Sequence, residues 1–195
     1  NARLAALRTF LKFAARRDVT ALHVVEQALG VPMKRFERPM LGFLSREEVL
    51  AVIGKPGAGW ISQRDCLLLT LMYNTGARVS EVIGVKVADV VLDTAACVHL
   101  HGKERSVPLW RSTVKAIRAW LRLNPDLAPT STLLPNRGGK AMTRSNVTQR
   151  LDLVVKAAMS TTPSLAKRSI SPHTLRHTTA MHLLQSGVPF NVIAL

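Results

Sequence analysis

Two short motifs of this 195-residue chain carry side chains that could act together on a substrate. Residues 76–81, Gly-Ala-Arg-Val-Ser-Glu, place an arginine directly after a glycine break, where a rigid base can aim its guanidinium. Residues 173–177, His-Thr-Leu-Arg-His, place an imidazole and a guanidinium one helical turn apart. Taken alone, the first motif also fits a surface ion pair between Arg78 and Glu81, and the second a polar helix face.

Hydrophobic periodicity around these motifs predicts a mainly α fold with a small antiparallel β-hairpin. Ser45 and Glu48 form a candidate capping box, and the nearly all-apolar residues 66–73 predict a buried helix that ends before Arg78. Alternation at residues 98–101 and the Ser-Val-Pro-Leu run that follows predict the hairpin, with Lys103 at its tip. Further helices are predicted around residues 114–121, 147–158 and 171–187, the last with Ser171 as N-cap and Pro172 at its first position.

The chain divides near a stretch that lacks periodicity. Residues 31–43 contain two prolines and three basic residues and are predicted to be a linker. Residues 1–30 form two helices in this interpretation, and residues 44–195 form the main domain. On the first helix Arg8, Lys12 and Arg16 recur at helical spacing, so they could lie along phosphates or form a solvated face.

Charge points to a polyanionic partner. Twenty-seven Lys and Arg against twelve Asp and Glu give a net charge of +15, and after Asp126 the only acid is Asp152. Nucleic acid is therefore the leading partner. The sequence shows no apolar stretch that predicts a membrane span and no secretion signal, so a cytoplasmic location is predicted. Cys66 and Cys97 lack the spacing of a zinc site or a disulfide framework.

The histidines favour no metal site. His99 and His101 alternate on a predicted strand, and they could join His177 or His182 as ligands. No carboxylate pattern of the HExxH kind accompanies them, so no bound metal is predicted.

Three motifs together are more specific than each alone. Residues 76–81, the hairpin run Gly-Lys-Glu-Arg-Ser-Val-Pro-Leu at 102–109 and residues 173–177 follow one another in the order found in tyrosine recombinases of the phage integrase family, which the chain resembles. The resemblance implies that residues 44–195 are a catalytic domain, incomplete at its C-terminus. It implies that residues 1–30 are the last helices of a SAM-like core-binding domain.

The resemblance also implies the activity and the partners. It implies cleavage and rejoining of double-stranded DNA through a 3′-phosphotyrosyl link, without a cofactor. It further implies self-association on DNA as a dimer or tetramer in the intact protein, at the bacterial nucleoid. The expected DNA contacts are Arg8, Lys12, Arg16, Arg105, Arg144 and Arg150.

Site roles follow from the same resemblance. Arg78 and Arg176 are expected to hold the non-bridging oxygens of a phosphorane transition state, because forked guanidinium groups stabilise its added negative charge without a metal. His173 is expected to bind the phosphate and to help accept the proton of the nucleophile.

The remaining expected site residues assist Arg78 and Arg176. Lys103 resembles the lysine that protonates the departing 5′-hydroxyl, although the hairpin here is shorter than the family pattern. Glu81 and His177 are expected to orient the site residues by packing or hydrogen bonding, and not to contact the phosphate themselves.

The nucleophile is the largest departure from the family pattern. The only tyrosine is Tyr73, inside the apolar 66–73 helix, where packing with a satisfied hydroxyl is the favoured interpretation. The chain is therefore predicted to stop before the nucleophilic tyrosine. The alternative function is a truncated DNA-binding module that inhibits or regulates recombination. An ordinary helix-turn-helix regulator would explain the charge but not Lys103 or the 173–177 helix.

Overall fold

The computed structural model describes residues 2–32, 42–54, 57–102 and 104–193. It separates into two units, Asn1–Met40 and Leu41–Leu195. The division falls inside the segment 31–43 predicted as a linker, of which 33–41 lie outside the described residues.

The first unit consists of two short helices joined by a turn. Helix α1 (Ala2–Ala15) is followed by a 3-10 turn at Val19–Ala21 and helix α2 (Leu22–Gly30). The last carbonyls of a helix lack partners within the helix. Here the guanidinium of Arg8 donates to the Leu29 carbonyl in the last turn of α2 at 2.9 Å and to the Val31 carbonyl just after the helix at 2.5 Å. Arg8 therefore fastens α1 to the end of α2.

The second unit is mainly helical, with one small antiparallel sheet, as predicted. Its helices are α3 (Arg46–Ile53), α4 (Trp60–Thr75), α5 (Val79–Gly84), α6 (Arg111–Leu123), α7 (Arg144–Ala158), α8 (Pro172–Gln185) and α9 (Phe190–Ile193). Its strands are β1 (Val90–Val91), β2 (Cys97–Leu100) and β3 (Arg105–Pro108), in the order β1-β2-β3. The hairpin was predicted, but β1 was not, because a two-residue strand leaves too little alternation to detect.

Capping chemistry sets two helix starts at the predicted residues. The Ser45 hydroxyl accepts from the Glu48 N–H at 3.1 Å while the Glu48 carboxylate accepts from the Ser45 N–H at 2.8 Å, which completes the predicted capping box. Ser171 caps α8 in the same manner, with Pro172 in the first turn.

Helix α4 is the centre of the core. Its residues Leu68, Leu69, Leu71 and Met72 are fully buried, as the apolar run predicted. It packs against α6 on one side and α8 on another. A helix this deeply buried gives a rigid base to whatever follows its C-terminus. Among the described residues no helix is long and apolar enough to cross a membrane.

Candidate functional site

The end of α4 meets α8 at a glycine. Gly76 takes a left-handed conformation with φ of 57° and its N–H donates to the Met72 carbonyl at 2.9 Å. A Cβ at Gly76 would lie 3.3 Å from Cγ2 of Thr179 on α8. The Thr179 hydroxyl in turn donates to the Tyr73 carbonyl at 2.8 Å. This close approach lets Arg176, one turn earlier on α8, donate to the Gly76 carbonyl.

The buried carboxylate of Glu81 links Arg78, at the start of α5, to the sheet. The side chain of Glu81 is only 5% exposed and accepts a two-pronged contact from Arg105 on β3, at 3.2 and 3.0 Å. It also accepts from the Arg78 backbone N–H at 2.7 Å and from the Arg78 guanidinium at 3.3 Å. Glu81 thus fixes the start of α5, where Arg78 stands, relative to the hairpin.

The turn of the hairpin lies directly against this carboxylate. A Cβ at Gly102 would come within 3.1 Å of Oε1 of Glu81, so the missing side chain allows the turn to pass close. Lys103, the expected general acid, lies outside the described residues, and its role stays a prediction.

The charges of these groups act on one another. Burial alone would raise the pKa of Glu81, but hydrogen bonds from Arg105 and from the Arg78 backbone, together with both positive charges, bring it below its ordinary value. The pKa of Arg176 is lowered, first by burial and then by the charge of Arg78, with Glu81 opposing the shift and Arg105 adding to it. Glu81 therefore offsets part of the repulsion among three nearby cations.

The two predicted site arginines differ in exposure. The side chain of Arg78 is 53% exposed, whereas Arg176 is partly buried against the end of α4. An anchored guanidinium beside an exposed one can grip an oxyanion from two directions, with the anchored group losing little further freedom.

The predicted histidines lie on α8 beside Arg176. His173 is exposed on the first turn, three residues before Arg176, and His177 is half-buried immediately after it. The His173 imidazole is open to solvent, whereas His177 lies deeper in the fold. The roles expected of both histidines stay predictions.

The six expected DNA contacts fall into two groups. Lys12, Arg16 and Arg144 are exposed. Arg8, Arg105 and Arg150 hold partners inside the fold, namely the carbonyls at the end of α2, the Glu81 carboxylate and the Asp65 carboxylate. As DNA contacts all six remain predictions, but these three side chains first serve the structure.

Two polar residues that the sequence analysis overlooked hold elements together. Asp65 is 3% exposed and pairs with Arg64 and with Arg150, each at 2.6 Å. Asn74 is also buried, and it bridges the end of α4 to the end of β3 and the start of α6 through Pro108 and Trp110. Asp65 and Asn74 directly precede and follow the apolar 66–73 run, and a polar residue at each end of a buried helical segment is the signal that could have found both.

Tyr73 is engaged within the fold. Its hydroxyl lies 2.7 Å from Nδ1 of His182, and its ring meets the Trp110 and His182 rings edge-on. Burial raises the pKa of Tyr73, with a smaller opposing effect from the Arg46 charge. The hydroxyl thus has the partner that the sequence analysis expected.

Both histidines predicted on the hairpin strand have side-chain partners, but only His99 lies on β2, because His101 falls in the turn that follows it. The His101 ring contacts the Asp89 carboxylate at 2.7 Å, and the His99 ring contacts the Ser106 hydroxyl at 2.7 Å. Within the described part of the chain, no three His, Cys, Asp or Glu side chains gather as a set of metal ligands.

The fold is that of a tyrosine recombinase catalytic domain. It superposes on the crystal structure of XerA recombinase with a TM-score of 0.68 and 22% identity, over 97% of this chain and 71% of that one. It superposes on XerH recombinase bound to its palindromic difH substrate with a TM-score of 0.66 and 21% identity, over 84% of this chain and 48% of that one.

The chain belongs to the phage integrase family, whose family model matches residues 43–195. It is 35% identical to the integrase/recombinase y4rC of Sinorhizobium fredii, across the whole chain and 60% of that protein. It is 34% identical to the tyrosine recombinase XerD of Mycobacterium tuberculosis, over 97% of the chain and 62% of that protein. The chain therefore spans about three fifths of the length of these curated relatives.

Proposed function

We propose that this chain is the DNA-binding and phosphate-activating part of a site-specific recombinase that cleaves and rejoins duplex DNA. The observation that carries the proposal is the arginine pair, with Arg176 anchored on the Gly76 carbonyl and Arg78 exposed beside the buried Glu81. A net charge of +15 supports a nucleic acid as the substrate.

In this proposal the arginines stabilise the pentacoordinate phosphorane. Each guanidinium donates to a non-bridging oxygen, whose negative charge grows in the transition state. Glu81 keeps Arg78 in place through the backbone N–H and lessens the repulsion between the cations. His173 donates to the same phosphate, and Lys103 protonates the departing 5′-hydroxyl.

The attacking phenol is proposed to come from outside these 195 residues. Tyr73 is the only tyrosine of the chain, and its hydroxyl is held by His182 at 2.7 Å. A raised pKa further disfavours the phenolate that attack requires. We therefore infer that the chain alone binds DNA without forming a covalent link to it.

The domain arrangement and self-association of the intact protein are proposed from the chain's membership of the phage integrase family. Residues 1–30 would be the last helices of a core-binding domain, and Lys12 and Arg16 would face DNA phosphates from it. The intact protein would self-associate on DNA as a dimer or tetramer, in the cytoplasm at the nucleoid.

The test compares duplex binding with covalent capture. Fluorescence anisotropy with a labelled duplex should show affinity that falls steeply with salt, since several phosphate contacts release counterions. Arg78→Ala should weaken that binding more than the control Lys156→Ala, a change of another exposed cation. On a nicked duplex that traps covalent products, the chain should leave no protein–DNA adduct in denaturing gels. Binding that salt does not change, or an adduct that Tyr73→Phe abolishes, would contradict the proposal.

A further inference from the structure

A cationic groove on the second unit has no place in the strand-transfer mechanism. It lies between α6, the segment 92–97 and strand β3, and it encloses about 890 Å³. We propose that this α6 groove is a docking site for an acidic, amphipathic helix of another protein.

Four cations of α6 form one row. Arg111, Lys115, Arg118 and Arg122 follow one another four, three and four residues apart, a spacing that keeps them on a single helical face. All four are exposed and all four line the groove. At a rise of about 1.5 Å per residue the row extends for about 16 Å. The sequence of α6 contains no Asp or Glu, and Asp93 is the single acid among the described residues that line the groove, so the lining keeps an excess of positive charge.

The opposite face of α6 explains why the row is displayed. Thr113, Ile117 and Trp120 are fully buried and fix the rotation of the helix about its axis. The row therefore faces away from the core as a consequence of how α6 packs. Arg118 is additionally held, because its guanidinium donates to the Leu92 carbonyl at 2.6 Å across the groove.

The floor of the groove is apolar, which selects the occupant. Leu92, Ala96, Pro108, Leu109 and Val114 contribute to its lining between the cations. An amphipathic helix can place apolar side chains on such a floor and carboxylates against the row. Duplex DNA satisfies the cations only, because its exterior offers phosphates and no apolar side chains to fill the floor.

A second copy of this chain fits the groove poorly. The chain carries twelve acids against twenty-seven Lys and Arg, so two copies repel each other when no DNA neutralises their charge. Several of its acids are also engaged within the fold, among them Glu48, Asp65, Glu81 and Asp89. Charge complementarity therefore points to a different, acidic protein.

The test uses a synthetic helix as the probe. A fluorescein-labelled peptide of Leu and Glu, with the leucines on one helical face, is titrated with the 195-residue chain. Two companion peptides replace every Glu by Gln or every Leu by Ser. We expect the Leu/Glu peptide to bind more tightly than either companion, because the groove offers both an apolar floor and a cationic row.

Matched variants locate the binding. Arg111→Glu/Lys115→Glu/Arg122→Glu should weaken the peptide about tenfold or more, since three ion pairs become repulsions. The control Arg137→Glu/Lys156→Glu/Lys167→Glu makes the same change in net charge at exposed positions that do not line the groove, and should weaken it much less. If charge reversal unfolds the chain, Lys115→Gln/Arg122→Gln replaces it, with a smaller loss expected.

Titration of the same variants with duplex DNA tests whether the groove binds DNA instead of an acidic helix. The groove variant and the control should bind a labelled duplex equally, because both carry the same net charge. Equal peptide affinity for the two variants would overturn the proposal. So would a groove variant that loses duplex affinity well beyond the control, since the groove would then hold DNA. Neither result depends on strand cleavage, so the proposal stands or falls separately from the recombinase function.

Discussion

Replacing Arg105 by alanine tests whether the Glu81 cluster holds the site together. The change removes both guanidinium contacts, at 3.2 and 3.0 Å, from a carboxylate that is 5% exposed. Removing one partner of a buried ion pair costs about 3–5 kcal/mol, because the other charge stays buried. Glu81 retains the Arg78 N–H and guanidinium, and Arg105 is itself 16% exposed. We therefore expect a loss of about 2–3 kcal/mol, below the full cost of a broken buried pair.

Urea unfolding followed by tryptophan fluorescence measures this loss. Trp60, Trp110 and Trp120 are the only tryptophans and all belong to the second unit, so the signal reports the unit that holds Glu81. With a urea slope of about 2 kcal/mol/M, the midpoint should fall by about 1 M or more at an unchanged slope. The control Arg137→Ala, at an exposed position, should shift it by much less.

The pH dependence checks the charge on Glu81 independently. The pKa of Glu81 is lower in the folded chain than the ordinary Glu value of about 4.3. The stabilisation by the ionised carboxylate is therefore fully present above that ordinary value, and it is lost as the pH falls through the pKa of the folded chain. The cost of Arg105→Ala should therefore be complete at neutral pH and shrink as the pH drops below about 4. A loss under about 1 kcal/mol at neutral pH, or a loss that pH does not change, would refute the role assigned to the pair.

Three further substitutions test the contacts that hold the elements around the site together. Gly76→Ala should cost about 1–2 kcal/mol in urea unfolding, because φ is 57° and the new Cβ lies 3.3 Å from Cγ2 of Thr179; a neutral result would contradict the close approach. Tyr73→Phe should lower stability by about 1 kcal/mol and leave duplex affinity unchanged, since it removes one hydrogen bond. Arg150→Ala should cost about 2 kcal/mol through the buried Asp65, and a loss of DNA affinity without destabilisation would instead make Arg150 a DNA contact.

Local sequence determined most of the elements because their causes are local. The Ser45 and Glu48 capping box and the Ser171-Pro172 start each act within a few residues, and both lie where they were predicted. The apolar 66–73 run lies inside α4, which begins earlier than predicted, at Trp60. The hairpin followed from alternation that buries Val98 and leaves His99 exposed.

The motifs also indicated which residues belong to the candidate site. The order of residues 76–81, 102–109 and 173–177 identified the family, and the match of residues 43–195 to the phage integrase family confirms it. Arg78 stands at the start of α5 and Arg176 lies on α8, and the fold brings them close enough for the charge of Arg78 to lower the pKa of Arg176.

Only the tertiary structure decided what each arginine holds. In the sequence, all six expected DNA contacts are cations with nothing to tell them apart. The sequence therefore did not separate Arg8, Arg105 and Arg150 from Lys12, Arg16 and Arg144. Whether a guanidinium finds a partner depends on groups far away along the chain, such as Glu81, which is 24 residues from Arg105, and Asp65, which is 85 residues from Arg150. A buried carboxylate must be paired, and packing alone determines which cation reaches it.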